Sequence, residues 1–581
     1  MENYVIAENF ALLAKLMDIH GDNSFKAKSY ASAAFTIDKL PTPLAGLPPA
    51  QLFAIKGIGE STGKKILELL ETGQLGLLTE YLAKTPPGIL EMMSIKGIGP
   101  KKIATIWKEL EIETLGELLY ACNENRLTLY KGFGEKTQKN IKESIEFYMG
   151  NQGSFLYAEV IAYAEKSDAD LQKVFPEDTW LLTGDYRRKL EVIDKLEWVT
   201  SASAEAIKNY FERIGIVYGT VITSGNKEIS NTKKEQRFET AAITPDYIDI
   251  KGTGTAQNIL LRFYTTSADK LYSTLFRTSC SAEFLEAWTK DYPLDETIES
   301  EEGIFEKAGI AYIPVFLREY PKRIDEAKQN RLPKVIEPED ITGIIHSHSN
   351  WSDGVHTLET MAITAKEQGL QYLVISDHSK TAFYANGLQE ERIMAQHQQI
   401  DELNAKLAPF KIFKSIESDI LNDGSLDYSN EVLNSFDLVI ASVHSNLKMT
   451  EEKAMMRLLK AIENPYTSIL GHMTGRLLLS RNGYPVDHRR IIDACAANDV
   501  VIELNAHPRR LDIDWRWIDL ALEKNVLISI DPDAHAIEGF DDCRYGVYAA
   551  QKAGLTKEKN LSSFSLADFE SFVAKQKTKR K

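Results

Sequence analysis

Ten of the 11 histidines in this 581-residue chain lie between His346 and His535, and most of them stand at the ends of short apolar runs. The runs are GIIHSHS, YLVISDHS, IFKSIES, DLVIASVH, SILGHM, VVIELNA and VLISIDPDAH. Helical stretches of about 12–25 residues separate most of them. A parallel strand can follow another only through a crossover, so seven strand–helix alternations predict a parallel α/β barrel. The first run ends in His346 and His348, followed by Asp353 in an SDG turn. The second ends in Asp377 and His378, the third in Glu417, the fourth in His444 and the fifth in His472. The sixth carries Glu503 and Asn505, with His507 beyond, and the seventh ends in Asp533 and His535.

Barrels of this kind place their active sites at the C-terminal rim of the strands. Nitrogen and oxygen donors gathered there without cysteine suit zinc, manganese or iron. Nine candidate ligands follow: His346, His348, Asp353, His378, Glu417, His444, His472, Asp533 and His535. They are too many for one ion, so two or three divalent metals sharing Glu417 as a bridging carboxylate are expected. A lone histidine at a strand end is ordinarily a satisfied polar residue. Six at successive strand ends, with no cation to hold, would be costly to bury. Such ions lower the pKa of bound water and neutralise phosphate oxygens, so phosphoester hydrolysis is the expected reaction, with Glu417 and Asp533 among its catalytic groups. His20, His356, His397 and His488 fall in helical or loop contexts and are expected to be plain surface residues.

The front of the chain has a different signature. IKGIGESTGKKI (55–66), IKGIGPKKI (95–103) and YKGFGEKTQKNI (130–141) repeat one element: an apolar residue, Lys, Gly, an apolar residue, Gly, then a lysine-bearing amphipathic helix. Two glycines permit a tight hairpin whose backbone N–H groups face a helix N-terminus, a geometry that binds phosphate without reading sequence. Gly57, Gly59, Lys65, Gly97, Gly99, Lys102, Gly132 and Gly134 are the expected DNA contacts of three helix-hairpin-helix elements. Local lysines provide positive charge despite a net charge of −16.

The expected division is a helix-hairpin-helix region at 1–150, an α+β region at 151–265, a small module at 266–325, a linker at 326–340 and the barrel at 341–575. The tail KQKTKRK is expected to be disordered. Four scattered cysteines form no CxxC pair, and no apolar run approaches the ~20 residues of a membrane span. The N-terminus lacks a secretory pattern, so a cytoplasmic monomer is expected.

HSHSNWSDG, ISDHS, ANGL, ESDILNDGSLD, ASVHS, GHMTGRLLL, LNAHPRRLDI and DPDAHA together resemble the polymerase-and-histidinol-phosphatase (PHP) domain. The motif order along nearly the whole chain resembles the bacterial family X DNA polymerases, and AYIPVFLRE (311–319) is similar to that family's IPPELRE signature. The resemblance implies that 151–265 is a nucleotidyltransferase-like palm and 266–325 a thumb-like module, and that the C-terminal domain is a distorted (β/α)7 PHP barrel with manganese- or zinc-dependent 3′–5′ exonuclease activity, often acting on abasic or blocked 3′ ends in base excision repair. Gapped or nicked duplex and 3′ ends are the implied substrates. Arg510 in PRRLD and Arg476 in TGRLL are candidates for holding phosphate, with a rim salt bridge as the alternative. Lys65 falls where related repair polymerases carry a Schiff-base lysine; a phosphate-contacting lysine is the other reading.

The polymerase site departs from the family pattern of Gly-Ser, two basic residues, an Asp-x-Asp strand and a later Asp. Gly184 is followed by Asp185, the basic pair ends in Arg188, the two aspartates become Lys195 and Glu197, and Asp249 takes the third place. Sliding the alignment by one residue would use Asp194 instead. A lysine where a cation must bind implies a degenerate site, and magnesium would be needed only if that site works. The competing readings are a working gap-filling polymerase with a proofreading or end-cleaning PHP domain, a non-catalytic DNA-end scaffold, and a small-molecule phosphoesterase.

Overall fold

A computed structural model describes residues 1–580 apart from 124–126, 151–152, 214–236, 254–258, 295–296 and 480–481, so the run GIVYGTVIT (215–223) lies outside the described residues. Among the described residues no helix is long and apolar enough to cross a membrane. The chain forms two compact units that divide after Gln152.

The first unit is all-helical, with its own core. Helices Asn3–His20 and Ser24–Asp38 pair through Phe10 and Tyr30, whose rings meet edge-on at 5.7 Å. In each hairpin the first glycine has a left-handed backbone: φ is 96° at Gly57, 89° at Gly97 and 94° at Gly132. Only glycine adopts that conformation without strain. The apolar residue between the glycines (Ile58, Ile98, Phe133) is buried and ties the turn to the core. The second glycine needs another explanation. Gly59 and Gly99 cap helices Glu60–Thr72 and Pro100–Lys108 with ordinary φ, and nothing lies within 4 Å of where a Cβ on Gly59, Gly99 or Gly134 would stand. That space is open to an approaching ligand.

The second unit begins with strands β1 (Phe155–Leu156), β2 (Trp180–Thr183), β3 (Val192–Ile193), β4 (Lys195–Thr200), β5 (Arg237–Ile243), β6 (Tyr247–Thr253) and β7 (Leu260–Thr265). The short strands β1 and β3 pair antiparallel, and the other five form a mixed sheet in the order β2-β4-β7-β6-β5, in which only β4 and β7 run parallel. Trp198 stacks on Phe263 at 5.3 Å in its core. A helical module follows, in which Phe276, Trp288 and Phe305 pack beside the fully buried Arg318, and Glu301 meets that charge at 2.7 Å.

Seven parallel strands then form one sheet in sequence order: β8 (Gly343–Ser347), β9 (Tyr372–Ile375), β10 (Lys411–Asp419), β11 (Leu438–Ser442), β12 (Ile469–Leu470), β13 (Val501–Asn505) and β14 (Ile528–Asp531). The sheet closes on itself through the segment after β14: His348 N donates to Ala534 O at 2.8 Å and Ala534 N to His346 O at 3.3 Å. Apart from Lys411 and Lys414 of β10 the strand residues are buried, as parallel strands under a helical layer must be.

The described part of the basic tail, 575–580, is not disordered. It belongs to helix Leu566–Thr578, whose Phe569 stacks at 4.3 Å on Tyr372, the first residue of β9, at the N-terminal end of the strands. Lys577 pairs with Asp437 at 2.6 Å, and Lys579 donates to the carbonyls of Thr467, Asn498 and Asp499. The tail's charge complements carboxylates and carbonyls of the barrel, a use that composition alone could not reveal. The opposite end of the barrel is left to the ligands.

Candidate metal centre

All nine expected ligands meet at the C-terminal rim. Glu417, near the end of β10 and fully buried, is the hub. His346, His472 and His444 bring Nε2 to 3.2, 3.0 and 3.1 Å from its Oε1. His378 Nδ1 lies 3.0 Å and His348 Nε2 3.6 Å from its Oε2. Asp533 Oδ1 stands 3.1 Å from His348, and Asp353 Oδ1 is 3.4 Å from His535 and 3.7 Å from His378. Eight of the nine fall into three groups whose donor atoms lie within 4.8 Å of one another: His348, Asp353, His378 and His535; His346, His348, Glu417 and Asp533; and His378, Glu417 and His444.

Backbone conformation helps to aim these groups. His346 (φ 61°) and Asp533 (φ 52°) are left-handed, and the β8–β9 register shifts between Ile344 and Ser347. Strict alternation would put His346 on the face of Ile344, which packs in the outer core. The break in alternation turns the imidazole toward Glu417 instead. Non-glycine residues in this conformation collect at functional sites, where surrounding structure holds them.

The electrostatics fit a cation. Burial works against charge on His346, but Glu503, Glu417 and Asp533 outweigh it and raise its pKa well above the usual. His444 is likewise pushed up to about 10, because Glu417 and Asp419 overcome its burial. His348, buried among His535 and His378, is pulled down to about 3. Burial also opposes charge on Glu417 and Asp533, yet the facing imidazoles hold both well below the carboxylate range. His346 Nε2 and Glu417 Oε2 are buried with no hydrogen-bond partner. Deprotonated acids, a neutral imidazole and orphaned donor atoms converging on one point are what a divalent metal site requires.

A supporting layer went unassigned in the sequence. Glu503 takes His346 Nδ1 at 2.5 Å, and Asp419 takes His444 Nδ1 at 2.5 Å, each leaving Nε2 to face Glu417. Such partners fix the tautomer and ring orientation of a ligating histidine. Asp377 accepts from Ser349 N at 2.8 Å, Ser352 Oγ at 2.6 Å and Gln396 Nε2 at 2.6 Å, and so holds the turn that carries Asp353. Strand period was the available signal for Asp419, which lies two residues after Glu417 and therefore on the same face.

The two candidate phosphate-holding arginines differ. Arg510 Nε stands 3.8 Å from Asp533 Oδ2 at the site. Arg476 is a rim salt bridge, 2.6 Å from Asp514, and also donates to Arg510 O at 2.9 Å. Of the four histidines expected at the surface, His397 is buried edge-on against Phe436 with its pKa lowered to about 4, chiefly by that burial. The other three are partly buried: His20 bonds Thr85 at 2.8 Å, His356 accepts from Ile537 N at 3.4 Å, and His488 stacks on Trp517 at 4.7 Å.

In the palm, Lys195 pairs with Glu197 at 2.7 Å and Tyr264 also donates to that carboxylate at 2.9 Å. Asp249 is held bidentately by Arg262, at 2.8 Å through each of two nitrogens. Arg262 is the cross-strand neighbour of both Glu197 and Asp249, a placement visible only once register is known. A Cβ at Gly184 (φ 66°) would overlap the Glu197 carboxylate. Asp185 is 2.5 Å from Arg188, which also pairs with Glu319 at 3.0 Å. Asp194 precedes β4 and accepts from Ser154 at 2.6 Å. On the hairpins, Lys65 is partly buried, 3.7 Å from Glu68, and Lys102 donates to Gly97 O at 3.2 Å.

Fold and site together define a PHP-domain protein with tandem helix-hairpin-helix elements. Profiles described as helix-hairpin-helix domain, SAM-like helix-hairpin-helix tandem and PHP domain match residues 1–75, 89–146 and 345–507. The chain is 31% identical over 575 residues to the DNA polymerase/3′-5′ exonuclease PolX of Bacillus subtilis (strain 168), covering 97% of each protein. It belongs to the PolX family, the bacterial family X DNA polymerases with a C-terminal PHP domain. Over shorter stretches it is similar to the probable phosphatase TTE1963 of Caldanaerobacter subterraneus subsp. tengcongensis, at 26% identity over 175 residues (28% of this chain, 62% of the relative). It is similar as well to the probable phosphatase YcdX of Escherichia coli O81 (strain ED1a), at 25% over 170 residues (28% and 62%). These findings point to DNA as partner and a divalent metal as cofactor.

Proposed function

We propose that this chain is a DNA repair nuclease that hydrolyses phosphodiester bonds from 3′ ends at the rim of the PHP barrel, while its palm does not extend DNA. The observation that carries the reading is the convergence of nine candidate ligands, drawn from 190 positions of sequence, at one rim, where five histidines surround the carboxylate of Glu417. Two or three ions fit the three donor groups, and the mixed set of imidazoles and carboxylates, without cysteine, suits manganese or zinc, with iron also compatible. Held by those nine residues, the ions would supply Lewis-acid activation of water and charge neutralisation at the phosphate.

The chain's own residues do the rest. Glu503 and Asp419 fix the ring orientation of His346 and His444. Asp377 fixes the turn that presents Asp353. Arg510 stands beside Asp533, where its guanidinium binds a non-bridging phosphate oxygen of the substrate. The glycine hairpins bind DNA backbone through exposed amides, with Gly57, Gly97 and Gly132 shaping the turns and Gly59, Gly99 and Gly134 leaving room for the phosphate. Lys65 contacts phosphate rather than forming a Schiff base. The protein works as a cytoplasmic monomer on gapped or nicked duplex.

In the palm, two carboxylates already carry built-in cations, and magnesium would have to displace both. The relative's name supports the rival reading of a gap-filling polymerase. Incubation with Mn²⁺ and a 5′-labelled gapped duplex, with and without dNTPs, decides between them. Shortening that His346→Ala abolishes supports the nuclease; extension in the presence of dNTPs supports the polymerase and contradicts a silent palm. A shifted band with no change in length would leave only a DNA-binding scaffold.

A further inference from the structure

The segment Arg509–Arg516, which carries Arg510, is held from two sides. On the barrel side Asn505 N donates to Asp512 O at 2.7 Å, Arg510 N to His507 O at 2.7 Å, and Arg476 ties Asp514 and the Arg510 carbonyl. On the other side the partners belong to the palm. Glu191, just before β3, accepts from Trp515 Nε1 at 3.0 Å and from Arg516 Nη1 at 2.7 Å. Glu159, in the first turn of helix Tyr157–Val174, pairs with Arg509 Nη2 at 3.1 Å. The two anchors are themselves linked, since Tyr157 N donates to Glu191 O at 3.1 Å. Tyr157, Lys189 and Glu191 of the palm line one small cavity with Leu511 of the segment, Pro508 just before it and Lys552 of the barrel.

Palm carboxylates therefore hold both ends of a segment whose second residue, Arg510, reaches the metal centre. Glu191 is 11% exposed at its side chain but Arg516 is 48% exposed, so that ion pair is partly screened and the bond to the buried Trp515 is the firmer hold. Building on the hydrolase reading above, we propose that Glu191 is a positioning residue for phosphodiester hydrolysis: through Trp515 and Arg516 it sets the Arg509–Arg516 segment so that the Arg510 guanidinium meets the substrate phosphate. The palm, its own acids occupied by lysine and arginine, then serves as the outer wall of the nuclease site.

The test is a double-mutant cycle between Glu191→Ala and Arg510→Ala in the full chain with Mn²⁺ and a 5′-labelled oligonucleotide, alongside hydrogen exchange of the metal-free protein. Glu191→Ala is expected to lower kcat about tenfold, the scale of a small misplacement of a contacting group. KM should stay within about twofold and bound manganese should be unchanged. In the Arg510→Ala background the same substitution should cost nothing further. Amides of residues 509–511 should exchange faster in Glu191→Ala while those of β10 do not. Glu191→Gln, which keeps an acceptor for Trp515 but loses the charge facing Arg516, should fall between, and it carries the test if the alanine variant fails to fold. Equal losses in both backgrounds, or no local change in exchange, would overturn the proposal. Shortening that survives His346→Ala would instead overturn the hydrolase reading beneath it.

Discussion

At the barrel rim Glu417 faces His346, His348, His378, His444 and His472, whereas in the palm sheet Glu197 faces Lys195 and Asp249 faces Arg262. Both regions gather buried acids against nitrogen bases at similar distances. The nitrogens differ in what they can give up. An imidazole that yields its proton to an arriving cation becomes a metal ligand, while a guanidinium never deprotonates and has no lone pair to offer, and an ammonium is itself a charged partner fixed in the sheet. The rim is thus a site whose counter-ions can be exchanged for metals; the palm is one whose counter-ions are part of the fold.

The sharpest way to break this contrast is at the hub. Glu417→Ala or His346→Ala should reduce Mn²⁺-dependent shortening of DNA by about a thousandfold or more, since metal-based activation and charge neutralisation are lost together. A variant retaining a tenth of the rate would show that the rim is not the reactive centre. One layer out, Asp419→Ala should weaken Mn²⁺ binding roughly 10–100-fold without removing a ligand, as expected for a residue that orients His444. Titration followed by electron paramagnetic resonance measures it, and an unchanged affinity would mean the orientation is set elsewhere.

In the palm the effect should appear in stability. Lys195→Ala leaves Glu197, 4% exposed at its side chain, with Tyr264 as its remaining donor, and should lower the unfolding free energy by about 2 kcal/mol. Chemical denaturation checks this; a neutral substitution would mean that the pair is not structural. The smallest effects belong to the hairpins. Gly97→Ala places a side chain at φ 89° and should cost about 1 kcal/mol. Gly99→Ala meets no atom of the protein and should leave stability unchanged while weakening binding to duplex DNA. Equal effects of the two on both measurements would erase the distinction between turn-forming and contact-forming glycines.

The barrel was largely legible because strand-end placement is written in one dimension: His346, Glu417, His444 and Asp533 each follow an apolar run, and parallel topology brings run ends together. The hairpins were legible for a similar local reason, a repeated glycine spacing. What escaped depends on lateral register or distant partners. Arg262 matters because β7 sets it beside both Glu197 and Asp249. Glu503 was seen as a strand-end acid, but its service to His346 crosses from β13 to β8. The tail looked disordered because its lysines find carbonyls and acids more than 70 residues away in sequence. His397 looked exposed because nothing local announces Phe436 as its neighbour.

Anomalous diffraction from manganese-loaded crystals tests the contrast between rim and palm most directly. If the contrast holds, two or three manganese peaks lie inside the ring formed by His346, His348, Asp353, His378, Glu417, His444, His472, Asp533 and His535, and none lies between Glu197 and Asp249. A peak in the palm, or a rim without any, would contradict it.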